Sequence, residues 1–152
     1  MKQHSIKIEK IKDEEIDEIC RLANIVFSEF GHSSAGSYIK GATKWDISIK
    51  LTVDDVIAGF YLFNPGNLSE TMFNHKKGIQ GVALGVLKEF RGKGYGKMLI
   101  DKSYELFSKE YDYIWGMHLS VLKNLDHWKK RRNIMNEHAN TSLYFSYAFF
   151  NK

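Results

Sequence analysis

Apolar residues that recur at every second position predict most strands of this chain. The first such stretch covers residues 5–11, and two more, residues 47–53 and 56–63, flank the polar pair Asp54-Asp55 in the pattern of a hairpin. Gly59 lies inside the second hairpin strand, where it indicates a bulge or a close backbone contact. Further strands are predicted at residues 82–86, 113–119 and 143–150.

Apolar residues three and four positions apart predict helices between these strands. The first helix follows the acidic residues 13–15, which suit a helix N-terminus, and its apolar stripe includes Cys20, which we interpret as a core residue. A short helix is predicted at residues 34–42, and a helix rich in Lys and Arg at residues 122–135. Between them, a helical pattern is predicted to begin at Lys97. One face of this helix is marked by Ile100, Ser103, Tyr104, Phe107 and Tyr111, with Leu99 and Leu106 flanking it.

The order of these elements is β-α-(α)-β-β-β-α-β-α-β. Strands gather first and alternate with helices later, which predicts an α/β (α+β) fold with a mixed sheet covered by helices on both faces. The chain has 152 residues, of which 43% are hydrophobic, so it can bury a core without disulfides. We expect a single domain over residues 1–152.

The stretch 81–100 carries the clearest chemical signal. A strand leads into a turn rich in glycine and basic residues, Arg91-Gly92-Lys93-Gly94-Tyr95-Gly96, and then into a helix. The first amides of a helix have no partner within it, and the helix dipole adds positive charge at that end, so the arrangement predicts an anion site. It is neither a Walker loop, because Met98 follows Lys97, nor a dinucleotide fingerprint, because Leu99 stands at the third glycine position.

The spacing Arg91-x-x-Gly94-x-Gly96, preceded by Leu84-x-Val86, resembles the acyl-CoA pyrophosphate loop of the GNAT superfamily of N-acetyltransferases. The resemblance implies a GNAT-like, mostly antiparallel mixed sheet, acetyl-CoA as co-substrate and no metal. It implies that the strand backbone pairs with pantetheine and that the loop binds the pyrophosphate. The cofactor-binding residues would be Leu84, Gly85, Val86, Arg91, Gly92, Lys93, Gly94, Tyr95, Gly96 and Asn124. An alternative for Asn124 is a helix cap.

The sequence departs from the family where catalytic residues are expected. Many relatives carry a tyrosine as general acid seven residues after the asparagine, where this chain has Arg131. Others carry a carboxylate early in the central strand, where this chain has Gln80. The catalytic residues are therefore unknown; His118 is a weak candidate for the base, and a polar strand-end histidine is the favoured reading. Glu29 and His32 fall in a region that often lines the acceptor pocket of relatives, although solvated loop residues are the favoured reading.

The leading function is transfer of an acetyl group from acetyl-CoA, by direct attack, to a primary amine of a small molecule or protein. The alternative is a catalytically inactive, acyl-CoA-binding regulatory module, which the missing tyrosine keeps open. The net charge is +4, and the charged residues are scattered along the chain except for the basic run at residues 129–132. Nucleic-acid binding is therefore disfavoured. A single cysteine and the absence of an apolar leader or membrane-length run predict a cytoplasmic protein without membrane association. A homodimer is left open.

Overall fold

The computed structural model describes residues 3–29, 31–68, 75–119, 132–135 and 143–150. The strands are β1 Ile6–Lys10, β2 Ile49–Val53, β3 Val56–Pro65, β4 Gly78–Val86, β5 Tyr113–Leu119, β6 Arg132–Met135 and β7 Leu143–Phe149. The helices are α1 Ile16–Ser28, α2 Ala35–Ala42 and α3 Tyr95–Phe107. Single 3-10 turns occupy Asp13–Glu15, Trp45–Ile47 and Lys88–Phe90.

The chain divides into two compact units. The first comprises residues 1–64 and 82–105, and the second comprises residues 65–81 and 106–152. The strand order is β1-β2-β3-β4 in the first unit and β4-β5-β7-β6 in the second, with β4 contributing residues to both. Strand β4 pairs with β5 in parallel, whereas the pairs β1–β2, β2–β3, β5–β7 and β6–β7 are antiparallel, so the sheet is mixed and mostly antiparallel, as the resemblance implies.

The β2–β3 hairpin of the first unit forms where the sequence predicts it. Asp54 and Asp55 form its turn with positive φ angles of 50° and 66°, which short polar residues tolerate in tight hairpins. The antiparallel register shifts between Leu51 and Thr52, so that Ala58 is an extra residue on β3. The bulge predicted near Gly59 is therefore confirmed, one residue earlier along the strand.

The core of the first unit packs helices on opposite faces of β3. Phe60 and Leu62 belong to the buried cluster that contains the α1 residues Ile19, Cys20, Leu22, Ala23 and Val26. On the other face, a β-carbon built on Gly59 would lie 3.4 Å from Cδ1 of Leu99 in α3. Because successive strand residues point to opposite faces, α1 and α3 lie on opposite sides of β3. Cys20 is buried on the α1 stripe, which confirms its interpretation as a core residue.

The second unit is built around β5. Its first residues pair in parallel with β4, from Gly78↔Tyr113 to Gly81↔Gly116, and its whole length pairs with β7. Glycine is required at position 116, because a β-carbon there would come within 2.6 Å of the Gly81 carbonyl oxygen. Trp115 donates its indole N–H to the carbonyl of Gly66 at 2.8 Å, which ties the segment after β3 to β5.

Three details of the sequence prediction are wrong. Residues 132–135, predicted as the end of a basic helix, form β6 and pair with β7 from Arg132↔Tyr147 to Met135↔Tyr144, because ladder pairing overrides a weak helix propensity. The rest of that predicted helix, residues 122–131, lies outside the described residues. Helix α3 begins at Tyr95 and not at Lys97. Its buried row is Tyr95, Leu99, Ser103 and Phe107, whereas Tyr104 is exposed.

Candidate anion-binding site

The loop between β4 and α3 adopts a conformation that depends on glycine. After a 3-10 turn at Lys88–Phe90, Gly92 and Gly94 take positive φ angles of 79° and 85°. A β-carbon built on either glycine would meet no atom within 4 Å. The loop therefore needs glycine for its backbone angles, and it leaves open space beside both residues.

The loop delivers the chain into the N-terminus of α3. The amide of Met98 bonds the carbonyl of Gly94 at 3.1 Å, so the three preceding amides, of residues 95–97, have no carbonyl one turn back within the helix. Tyr95 is buried and anchors the first turn, whereas Lys97 is exposed and pairs with Asp101 at 2.8 Å. Helix-end amides, the dipole and exposed lysines at positions 93 and 97 make this end of α3 suited to an anion.

Arg91 does not extend freely into solvent. Its Nε donates to the carbonyl of Val86 at 2.9 Å, and one terminal nitrogen donates to Glu29 Oε2 at 3.0 Å. The hydrogen bond from Arg91 lowers the pKa of the Glu29 carboxyl below its usual value, and the positive charges of Arg91 and Lys88 act in the same direction. The guanidinium thus links the end of β4 to the end of α1.

The β4 residues predicted to bind pantetheine also have structural roles. Gly85 is buried, and a β-carbon there would come within 2.7 Å of the Phe60 ring. The carbonyl of Val86 already accepts the bond from Arg91. The next amide, that of Leu87, donates to the carbonyl of the bulged Ala58 at 2.9 Å, which fixes the point where the chain leaves the strand.

The structure brings together nine of the ten predicted cofactor-binding residues in the first unit, namely those at positions 84–86 and 91–96. Asn124 lies outside the described residues, as does Arg131. His118 belongs to the second unit, where its backbone in β5 pairs with that of Tyr144; its side chain lies outside the described part. His32 is exposed, and its amide donates to the carbonyl of Phe27 at 3.0 Å.

The contact between Glu29 and Arg91 is the feature of this site that sequence reasoning missed. The two residues are 62 positions apart, and no local pattern links them. Only correlated changes among related sequences would have signalled the pair.

Two further findings bear on the predicted partners. Within the described ranges, no helix is long and apolar enough to cross a membrane. In the same part of the chain, no group of three or more His, Cys, Asp or Glu side chains is placed to hold a metal ion.

Comparison with known proteins identifies relatives of this fold. The family model described as "Acetyltransferase (GNAT) family" matches residues 17–130. No curated protein gives a significant sequence match. The structure is similar to PH1933 from Pyrococcus horikoshii OT3, with a TM-score of 0.75 and 21% identity over 97% of this chain and 100% of that chain.

Two other solved structures are similar. A mosquito arylalkylamine N-acetyltransferase-like protein (5b) aligns with a TM-score of 0.73 and 11% identity, over 95% of this chain and 100% of that chain. A GNAT family acetyltransferase from Brucella melitensis, solved in complex with acetyl-CoA, aligns with a TM-score of 0.68 and 16% identity, over 99% of this chain and 91% of that chain. At these identities the structural likeness shows a common fold.

Proposed function

This chain belongs to the GNAT family of acetyltransferases, acyl-CoA-dependent enzymes that take acetyl-CoA as co-substrate, and we propose that it transfers the acetyl group to a primary amine by direct attack. The observation that carries the proposal is the loop 91–96, where two glycines with positive φ lead into the N-terminus of α3.

The loop fits the pyrophosphate of acetyl-CoA. Phosphate oxygens need several N–H donors at close range, and glycine residues, which lack a β-carbon, let them approach the backbone closely. Gly92 and Gly94 have that open space, and the amides that begin α3 follow directly. In this proposal Lys93 and Lys97 add positive charge, while the side chain of Tyr95 anchors the helix from inside the core.

Strand β4 is proposed to bind the pantetheine arm and the thioester of acetyl-CoA. The backbone of Leu84 to Val86 would pair with the pantetheine arm, and an amide near Leu84 would donate a hydrogen bond to the thioester oxygen. Such a donor stabilises the negative charge that develops on that oxygen during attack. Asn124 is proposed as a further contact with acetyl-CoA.

Direct attack requires little covalent chemistry from the protein. A neutral amine can attack a thioester without an enzyme-bound intermediate, so that holding both reactants in place supplies much of the rate. The departing thiolate is the conjugate base of a thiol with a pKa of about 8.5, which makes it an acceptable leaving group near neutral pH. The proposed acceptor class, a primary amine, agrees with the name of the mosquito relative, an arylalkylamine N-acetyltransferase-like protein.

The test measures binding and turnover separately. Acetyl-CoA at about 100 times its dissociation constant should add roughly 2.7 kcal/mol to the free energy of unfolding. Release of the CoA thiol is then followed with a panel of amines, including arylalkylamines, amino acids and peptides with free N-termini. Because the protein's single cysteine is buried, a thiol reagent should report the product with little background.

The outcomes separate the two candidate functions. Stabilisation together with amine-dependent thiol release supports the acetyltransferase. Stabilisation without release for any amine in the panel would favour the regulatory module instead. A folded protein that millimolar acetyl-CoA does not stabilise would refute both.

A further inference from the structure

Arg91 is held by two acceptors on different elements. One is the carbonyl of Val86 at the end of β4, 2.9 Å from Nε, and the other is the carboxylate of Glu29 after α1, 3.0 Å from a terminal nitrogen. The side chains of Arg91 and Glu29 are 36% and 37% exposed, so both are partly shielded from water. The residue after Arg91 is Gly92, where the loop turns into its positive-φ conformation.

The position of Glu29 is fixed by the end of α1. The amide of His32 bonds the carbonyl of Phe27, the amide of Gly31 bonds the carbonyl of Ser28, and Gly31 has a φ of 82°. These bonds form a Schellman motif, which closes a helix in one defined geometry. Glu29 lies within that closing turn, so its backbone has a defined location, and its carboxylate lies 3.0 Å from an Arg91 nitrogen beside the loop.

A carboxylate at this place is unfavourable unless a cation meets it. The C-terminal end of a helix carries partial negative charge, and α1 has no basic residue in its last turn. The Arg91 guanidinium therefore neutralises both Glu29 and the end of the helix. The pair is exposed and contributes little to stability, as surface pairs generally do, so its role lies in fixing the place of Arg91 beside the loop.

We propose that Glu29 is a positioning residue for acetyl-CoA: it holds Arg91 against the end of β4, so that the loop 92–96 presents its amides to the phosphates. This inference rests on the proposed function of the loop. It assigns Arg91 the role of a brace, with its guanidinium bonded to protein groups, and leaves phosphate binding to backbone amides and to the lysines.

The direction in which Glu29→Gln changes the affinity for CoA distinguishes this proposal from an effect of charge alone. Removing a negative charge close to an anion site should tighten anion binding if charge alone matters. Removing the carboxylate that braces Arg91 should weaken binding, because the loop loses its defined start. The substitution Glu29→Gln therefore has opposite expected effects under the two accounts.

The experiment compares Glu29→Gln with Glu18→Gln. Glu18 lies in the first turn of α1 and also pairs with an arginine, Arg21, at 2.6 and 2.9 Å, so each variant loses one arginine-paired carboxylate, one near the start of α1 and one just after its end. The dissociation constant of CoA is measured by calorimetry, and KM and kcat by thiol release. We expect Glu29→Gln to weaken CoA binding about tenfold, a loss of about 1.4 kcal/mol, and to raise the KM for acetyl-CoA more than it lowers kcat. Glu18→Gln should bind CoA like the wild type.

A double-mutant cycle tests whether Glu29 acts through Arg91. In an Arg91→Met background, Glu29→Gln should cause no further loss of CoA affinity, because the brace is already absent. Unfolding of each variant without ligand is measured in parallel to show that the fold persists. Equal or tighter CoA binding by Glu29→Gln, or losses that simply add in the double variant, would overturn the proposal. If the wild type itself does not bind CoA, the proposed function fails first.

Discussion

The backbone of Gly59 in β3 lies against that of Gly85 in β4: a β-carbon on Gly59 would come within 2.8 Å of the Gly85 carbonyl oxygen. A β-carbon on Gly85 would in turn meet the ring of Phe60 at 2.7 Å. Next to them, the bulged Ala58 accepts the hydrogen bond from Leu87, the first residue after β4. Two glycines and a bulge therefore determine where β4 ends and where the loop begins.

Gly85→Ala is expected to strain this junction. Phe60 is fully buried, so the new methyl group must displace a core ring or the strand, at a cost of about 1 to 3 kcal/mol in the free energy of unfolding. Chemical denaturation measures the loss. Gly41→Ala is the matched control, because a β-carbon at that helical position meets nothing within 4 Å and alanine favours the helix. If Gly85→Ala were as stable as the wild type, the close packing at this position would not contribute to the free energy of unfolding.

Gly94→Val is expected to weaken CoA binding more than Arg91→Ala. A β-branched residue resists the φ of 85° and fills the space that a phosphate would occupy, whereas losing Arg91 removes the brace but leaves both glycines free to adopt their positive φ angles. Calorimetry should show a loss above about thirtyfold, roughly 2 kcal/mol, for the valine variant.

A control for backbone strain is available in the hairpin turn. Asp55→Val puts the same side chain at a φ of 66° away from the loop, so it should lower stability without changing CoA affinity. If Gly94→Val and Arg91→Ala both bind CoA normally while folded, the pyrophosphate must lie elsewhere.

Local patterns predicted the fold well because each element carries its own signal. The hairpin, the α1 stripe and the strand at 113–119 depend on alternation, helical spacing and turn residues within a few positions. The family, the fold class, the enzyme class and acetyl-CoA as co-substrate are confirmed by the family match and the structural relatives. The acceptor, the binding residues, the single domain and the cytoplasmic location stay predictions.

One error and one omission of the sequence interpretation have the same physical origin. Residues 132–135 form a strand because β7 offers a partner, and Glu29 meets Arg91 because α1 ends beside the loop. Both depend on contacts between distant parts of the chain, which periodicity cannot report. Tyr104 was misplaced because apolar residues on neighbouring rows of a short helix give the same local pattern.

Lys50 and Glu15 form an ion pair, and we expect the loss of Glu15 to lower the free energy of unfolding more than the loss of Lys50. Lys50 is 6% exposed and Glu15 20%, and Glu15 also accepts the amide hydrogen of Lys12. Glu15→Gln leaves a buried ammonium without its counter-charge and should cost about 3 kcal/mol, more than Lys50→Met, which should cost less than about 2. Denaturation of both variants and of the double variant tests this; the double should be more stable than Glu15→Gln alone.

The same pair predicts a dependence of stability on pH. Burial raises the pKa of Glu15, but hydrogen bonds from Lys50 and from the Lys12 amide outweigh it and lower the pKa below its usual value. The pair therefore stabilises the fold fully above the ordinary glutamate pKa of about 4.3, and this contribution is lost as the pH falls through the lowered value. Denaturation at neutral and at acid pH should show that the free energy of unfolding falls less on acidification in Glu15→Gln than in the wild type. An equal fall in both proteins would argue against the pair.

Cys20 is expected to be unreactive in the native protein. Burial raises the pKa of its thiol, so little thiolate forms near neutral pH, and the core excludes reagents. Alkylation should be slower by at least about tenfold in the native protein than in denaturant. The variant Cys20→Ala should retain acetyl transfer. Rapid native alkylation, or loss of turnover in a folded Cys20→Ala, would contradict a purely structural role.

The last prediction concerns the tyrosine that this chain lacks. Without a strong general acid, the rate should depend on formation of the neutral amine, either in solution or through a base such as His118. We expect the rate to rise with pH through that ionisation and then to stay level. If His118 is the base, His118→Gln should be slower at neutral pH and recover at higher pH, because an ordinary histidine titrates near pH 6.5. The control is His4→Gln, which replaces an exposed histidine that contacts Asp54.

An unchanged pH profile of the rate in His118→Gln would remove His118 from the mechanism. A fall in rate near the tyrosine pKa of about 10 would reveal another acid, with Tyr144 and Tyr147 the next residues to replace.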